Sequence, residues 1–157
     1  MEQTLANSIR KSVTVEASQE HAFTVFTHGW STWWPTGTHH SGDSPPVESG
    51  IEPFAEGRCW ERTADGAEAV WGKVLVWEPH DRVVLGWQLN EDFKYDPDFI
   101  TEVEIRFVPE SDSRTRVELE HRDLERYGEA QQRLTEIINS ENGWTGLLQR
   151  YAEKASA

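Results

Sequence analysis

The chain has a single cysteine, Cys59, in 157 residues, so no intrachain disulfide can form and no oxidising compartment is called for. Basic residues are scarce as well: 15 Lys and Arg stand against 28 Asp and Glu, a formal net charge of −13. That balance repels phosphate backbones and anionic membranes and supplies no nucleic-acid footprint. No apolar stretch approaches the ~20 residues that span a bilayer, and the start Met1-Glu2-Gln3-Thr4 has neither the basic nor the apolar part of a secretion signal. A cytoplasmic protein without membrane insertion is the expectation. A Gly-rich phosphate loop, a Gly-x-Ser-x-Gly elbow and a two-histidine-plus-glutamate metal motif are all missing, so ATPase, dinucleotide oxidoreductase and zinc hydrolase readings lose support and no cofactor or metal is expected. An enzyme built from dispersed residues survives that test.

What the chain has in excess is tryptophan, eight residues in three groups. Trp30, Trp33 and Trp34 follow a short helix, Trp60, Trp71, Trp77 and Trp87 lie on successive strand-like segments, and Trp144 opens the last helix. An indole has a broad apolar face and one N–H donor, which lets it line a cavity as well as fill a core. The pattern points to a container. Length and composition suit one domain over residues 1–157, with residues 1–8 as a flexible tail.

Alternation over Ile9–Glu16 predicts a half-buried strand. Ser18 caps a short helix whose stripe is Ala22, Phe23 and Phe26, ending at Gly29, and a second turn of helix carries Trp30, Trp33 and Trp34 up to Pro35. The segment Thr36 to Pro46 reads as an exposed, mobile loop. Six strands are predicted near Val47–Phe54, Arg58–Thr63, Glu68–Trp77, Val83–Asn90, Ile100–Val108 and Thr115–Arg122, joined by short turns such as Asp65-Gly66, hence an antiparallel meander. Helical spacing returns at Ala130, Leu134, Ile137 and Ile138 and, after Asn142-Gly143, at Trp144, Leu147, Leu148, Tyr151 and Ala152, as one long amphipathic helix broken or kinked near Gly143. The sum is a two-layer α+β domain.

Parity assigns faces. Val83, Leu85, Trp87 and Leu89, then Val103, Ile105 and Phe107, then Val117, Leu119 and His121 form the dry side, with Glu102, Glu104, Arg106, Arg116, Glu118 and Glu120 opposite. The final helix is the available cover. His121 shares the apolar parity, which makes it either a satisfied histidine at a strand end or a polar group inside a cavity. In Glu68–Trp77 both parities look covered, and Gly72 marks a bulge or a close approach. His39-His40 and His28 lack metal-ligand spacing, and Cys59 reads as a small strand residue. Glu52 and Glu61 with Arg58 and Arg62 are expected as cross-strand charge pairs on the wet side, where a buried member would become a functional candidate. The acidic run Asn90–Asp98, with Phe93 and Tyr95, reads as a cavity-rim or partner-binding loop.

Several phrases in order resemble a known family: Ile9-Arg10-Lys11-Ser12-Val13, Ala22-Phe23 leading to Trp33-Trp34-Pro35, Ile51-Glu52-Pro53 with Gly57-Arg58, and Trp71-Gly72-Lys73-Val74 with Trp77-Glu78-Pro79. Val83–Trp87, Val117–Arg122 and Gly143-Trp144 continue the match over nearly the whole chain. Together they resemble the START-like (SRPBCC, Bet v 1-like) superfamily, and within it bacterial proteins similar to the activator of Hsp90 ATPase. The resemblance implies a helix-grip fold, with a curved antiparallel sheet wrapping a long C-terminal helix in the order β-α-α-β6-α and an apolar cavity between them. A shared fold of this breadth does not transfer an activity.

The first reading is a binding module for a small hydrophobic or aromatic molecule, neutral or cationic, entering between the Pro35–Pro46 loop, the Asn90–Asp98 loop and the final helix. Trp30, Trp34, Trp87 and Trp144 are expected as apolar walls, with His121 and Tyr151 as orienting hydrogen-bond partners. The second is a cyclase- or hydrolase-type enzyme using the same cavity, with His121 as candidate general base. The third is a protein-interaction module of the chaperone-regulator kind, with a protein partner on the acidic surface.

Overall fold

Pairing begins at the first strand, because its alternating residues can bury only one face. In the computed structural model, which describes residues 7–36, 38 and 45–157, β1 (Ile9–Val15) pairs antiparallel with the most distant strand, β7 (Arg114–Arg122), and Ile9 stands opposite His121. Of the tail expected over residues 1–8, residues 1–6 lie outside the described residues. Asn7 is already held: its carbonyl accepts the Leu124 N–H at 3.0 Å.

Helix α1 (Gln19–Thr27) starts where Ser18 Oγ accepts the His21 N–H at 3.1 Å, and it buries Ala22, Phe23 and Phe26. The short α2 (Trp30–Trp33) follows at once. Strands β2 (Glu48–Ile51), β3 (Arg58–Arg62), β4 (Glu68–Glu78), β5 (Arg82–Trp87) and β6 (Thr101–Ser111) then run as a meander into β7. The seven strands form one antiparallel sheet in the order β1-β7-β6-β5-β4-β3-β2. β2 is shorter than predicted, since the chain turns at Pro53 and Phe54. β5 ends at Trp87, with Leu89 meeting Tyr95 in an isolated bridge, and β6 runs on to Ser111.

The long terminal helix is in fact two. A 3-10 segment (Leu124–Ala130) leads into α3 (Gln131–Ile138), and α4 (Trp144–Ala155) starts afresh after Gly143. A Cβ on Gly143 would lie 2.1 Å from the Ile138 carbonyl oxygen, which is why the break falls at a glycine. α4 lays Trp144, Leu147, Leu148 and Tyr151 against the inner face of the sheet and α1, as the helix-grip expectation has it. Among the described residues no helix is long and apolar enough to cross a membrane.

The outer face is a lattice of charge. Glu104 takes Arg82 and Arg122, each at 2.8 Å, and Arg122 also reaches Glu102 at 2.8 Å. These guanidinium groups hold the Glu104 carboxyl below its ordinary range against the opposing effect of burial. Of the charge pairs expected near β2 and β3, Arg58 with Glu52 forms at 3.3 Å and Arg62 turns to Glu48. Glu61 departs from the expectation altogether: it is 4% exposed and points inward.

β4 explains why its parity was unreadable. Cys59 pairs with Gly72 and Trp60 with Val70, so Trp71 is an extra residue opposite β3, and a second shift opposite β5 falls between Val74 and Val76. Between the two bulges the strand changes which side chains it turns inward. A Cβ on Gly72 would lie 2.3 Å from the Gly86 carbonyl oxygen, so the close approach needs glycine.

Candidate functional site

Between the inner face of the sheet and the α3–α4 corner lies a cavity of about 510 Å³. Its sheet wall is Ser49 on β2, Glu61 on β3, Trp71 on β4, and Trp87 with Leu89 at the end of β5. Ile137, Ile138, Trp144 and Leu147 close the helical side, and Trp34, Thr38 and Phe93 come from the loops.

Four of the lining residues are indoles in a closed circuit. Trp34 stacks parallel to Trp71 (6.3 Å, 3° between planes), Trp71 meets Trp87 edge-on at 5.7 Å, Trp87 meets Trp144 at 5.9 Å, and Trp144 returns to Trp34 at 6.1 Å. Each comes from a different element, so the circuit exists only in the assembled fold. Behind it Trp30 is stacked on both Trp34 (4.6 Å) and Trp71 (5.5 Å).

His121 stands behind Trp87 and Trp144, wholly buried. Trp144 Nε1 donates to its Nδ1 at 3.1 Å, and its Nε2 is 2.8 Å from Thr101 Oγ1. An indole nitrogen can only donate, so Nδ1 carries the lone pair and Nε2 carries the proton, which it gives to Thr101. Burial lowers the imidazole pKa to about 3. Tyr127 extends this buried polar group by donating to the Leu89 carbonyl at 3.1 Å, and burial pushes its phenol up to about 12.

The polar end of the cavity is built by register. Ser49 and Glu61 are directly opposed on β2 and β3, so both side chains turn inward together. The Trp60 carbonyl accepts both the Ser49 hydroxyl and the Trp71 N–H, each at 3.1 Å. At the mouth, Phe93 sits in the left-handed region at φ 57°, a conformation that costs a bulky residue about 1 kcal/mol. Its loop is braced by Asn90 Oδ1, which accepts the Asp92 and Lys94 N–H groups at 3.0 and 3.2 Å.

Trp34, Trp87 and Trp144, expected as walls, line the cavity. Trp30, His121 and Tyr151 do not reach it. Trp30 is covered by the indoles it supports, and His121 is enclosed by its two partners. The Tyr151 hydroxyl turns away to the Ala22 carbonyl at 2.7 Å while its ring packs on Phe26 and Trp33. Of the two readings of His121, the geometry fits the satisfied histidine at a strand end: Trp144 engages its Nδ1 and Thr101 its Nε2. His39 and His40 lie outside the described residues, and burial pushes the Cys59 thiol up, away from reactivity.

Sequence reasoning missed Ser49, Trp71 and Ile137, while Phe93 entered only as part of a cavity-rim or partner-binding loop and Glu61 only as a charge-pair residue that burial would promote. A signal for Glu61 was present, since it shares strand parity with the buried Cys59. Trp71 had none, because its direction depends on a bulge.

No protein-family model and no curated protein matches the chain. Solved structures do. An anthrahydroquino-gamma-pyrone synthase, Txn09, is 36% identical over 94% of this chain and 96% of its own, with a TM-score of 0.65. A self-sacrificing resistance protein, CalC from Micromonospora echinospora, is 30% identical over 94% of this chain and 93% of its own, with a TM-score of 0.66. An HSP90 activator from Plasmodium falciparum shares the fold at 13% identity, over 75% of this chain and 74% of its own, with a TM-score of 0.51. With the sheet order, the terminal helix gripped by it and relatives this similar along nearly their full length, the chain belongs to the START-like (SRPBCC, Bet v 1-like) superfamily.

Proposed function

We propose that the protein binds a small planar aromatic molecule in the cavity between its sheet and its terminal helix. The observation that carries this is the circuit of four indoles lining a space of about 510 Å³. Such a space suits a fused-ring molecule, and indole faces stack on flat rings more favourably than aliphatic walls would. The likeness to Txn09 supports the same reading, since the product named for that synthase is a fused aromatic ring system.

The test is a calorimetric titration with 9-anthracenemethanol, a neutral planar probe, beside native mass spectrometry of freshly purified protein. Micromolar binding, or a bound mass lost on denaturation, is the expected result. A bare chain that takes up no planar probe would sink the reading.

A second reading, a cyclase-type enzyme using the same cavity, draws on the 36% identity to a synthase. It predicts that a bound precursor leaves with an added ring, seen as a new species by chromatography. In that case His121 is not the base, because its lone pair faces the Trp144 N–H. A chaperone-regulator role draws on the shared fold alone.

A further inference from the structure

One aromatic ring at the cavity is carried by a backbone that does not suit it. Among the described residues four non-glycine residues have positive φ, Glu56, His80, Phe93 and Asp123, and of these only Phe93 lines the cavity. It belongs to a short hairpin that grows from the end of β5 and is closed by the Leu89–Tyr95 bridge. The Asn90 carbonyl accepts the Phe93 N–H and the Asn90 N–H donates to the Lys94 carbonyl, both at 2.9 Å. Those two bonds are the pattern of a three-residue loop in which a type I turn is followed by one left-handed residue, a place ordinarily given to glycine. Here a phenylalanine takes it, at φ 57°. Backbone strain of this kind gathers at ligand clamps and switches. Glu91, Asp92, Lys94 and Tyr95 around it are exposed, whereas Phe93 is half-buried and packs on the core.

Resting on the reading that the cavity binds an aromatic ligand, we propose that this hairpin is its gate, with Phe93 closing over the bound molecule and swinging out to let it exchange. The facing side of the mouth is α3. Arg133 donates to the Glu91 carbonyl at 3.3 Å, and Ile137, one turn further along the same helical face, lines the cavity and is 39% exposed. The hairpin tip is thus pinned against the helix that carries the other lip. An exposed arginine and a solvated turn are released at little cost, since segments with few buried apolar contacts open most readily. Opening also lets Phe93 leave its left-handed conformation. Closing lays its ring on the ligand and keeps water out, as lids over binding sites do.

The test is stopped-flow measurement of 9-anthracenemethanol association and dissociation for wild type, Phe93→Asn and Arg133→Ala. Asparagine suits the left-handed position, so Phe93→Asn keeps the turn and removes the ring. Its association rate should rise about fivefold or more, because binding no longer waits for opening. Arg133→Ala lines no part of the cavity and only unpins the tip, so both rates should rise about threefold with their ratio changed by less than about twofold. A Phe93 that is merely a wall would speed dissociation alone, and association rates unchanged in both variants would overturn the gate. A readout without ligand tests it separately: acrylamide quenching of tryptophan emission should increase about 1.5-fold or more in Phe93→Asn as the wall indoles become reachable. Quenching equal to wild type would overturn the gate whether or not the probe binds. Failure of the probe to bind wild type, with quenching raised in the variant, would remove the aromatic-ligand reading and leave the gate standing.

Discussion

Trp144 Nε1 and His121 Nδ1 are joined at 3.1 Å, and this bond ties the start of the terminal helix to the end of the last strand directly behind the cavity wall. The donor belongs to a wall indole and the acceptor to a residue with no solvent contact, so the histidine sets the orientation of the ring that a ligand would touch.

A neutral buried imidazole makes stability depend on pH. The unfolded chain takes up a proton below about pH 6.5, whereas folded His121 resists it down to about 3, so its contribution is complete above pH 6.5 and is lost as pH falls toward 3. Between pH 7.5 and 5 the loss is about 2 kcal/mol. Carboxylates such as Glu104 and Glu120, held low by their arginines, act in the same direction. Urea unfolding of wild type and of His121→Gln at both pH values separates them: the wild-type decline should exceed that of the variant by roughly this amount, and parallel declines would disprove it.

Truncation of the same residue is costly. His121→Ala leaves the Trp144 N–H and the Thr101 hydroxyl without their partner and opens a void, at about 2–4 kcal/mol. Chemical denaturation should show a lower midpoint with an unchanged slope. A loss below about 1 kcal/mol would mean the network is dispensable.

The wall indoles and the peripheral ones should separate in binding. Trp34→Ala removes a stacking face from the circuit and should weaken 9-anthracenemethanol about tenfold. Trp77→Phe is the control, because Trp77 packs edge-on against Phe23 at 5.1 Å, away from the lining residues. Equal effects from the two variants would place the ligand elsewhere.

Gly72 tests the backbone of β4. A Cβ there would collide with the Gly86 carbonyl at 2.3 Å, and neither partner strand can yield without losing its register. Gly72→Ala should cost more than about 2 kcal/mol and lower the midpoint of thermal unfolding by several degrees. Gly66→Ala, with open space around it but φ at +88°, should cost only about 1 kcal/mol.

Much of the fold was legible because strand period and turn chemistry are local. Ile9–Val15, the Ser18 cap and the Trp87 and Trp144 placements needed only parity and spacing. Parity put His121 on the dry face and left two readings open, and the choice between them depended on Thr101 and Trp144, which no spacing joins to it. Trp71 was illegible for a different reason. A single extra residue in β4 resets alternation, and bulges leave little trace beyond a glycine such as Gly72. Glu61 lay between these cases: its neighbour Cys59 hinted at the inner face, but Arg58 and Arg62 beside it made a solvated charge pair the simpler expectation.

The indole circuit has a kinetic meaning too. Trp71 and Trp87 lie on neighbouring strands, but Trp34 and Trp144 come from stretches far from them and from each other along the chain, and β1 must find β7 across most of its length before the sheet is complete. Such distant pairings are slow to form, and until they do each ring is surrounded by water or by unfinished surface. Intrinsic emission followed after dilution from denaturant is therefore expected to change as these rings reach one another, a signal that long-range assembly rather than local structure sets.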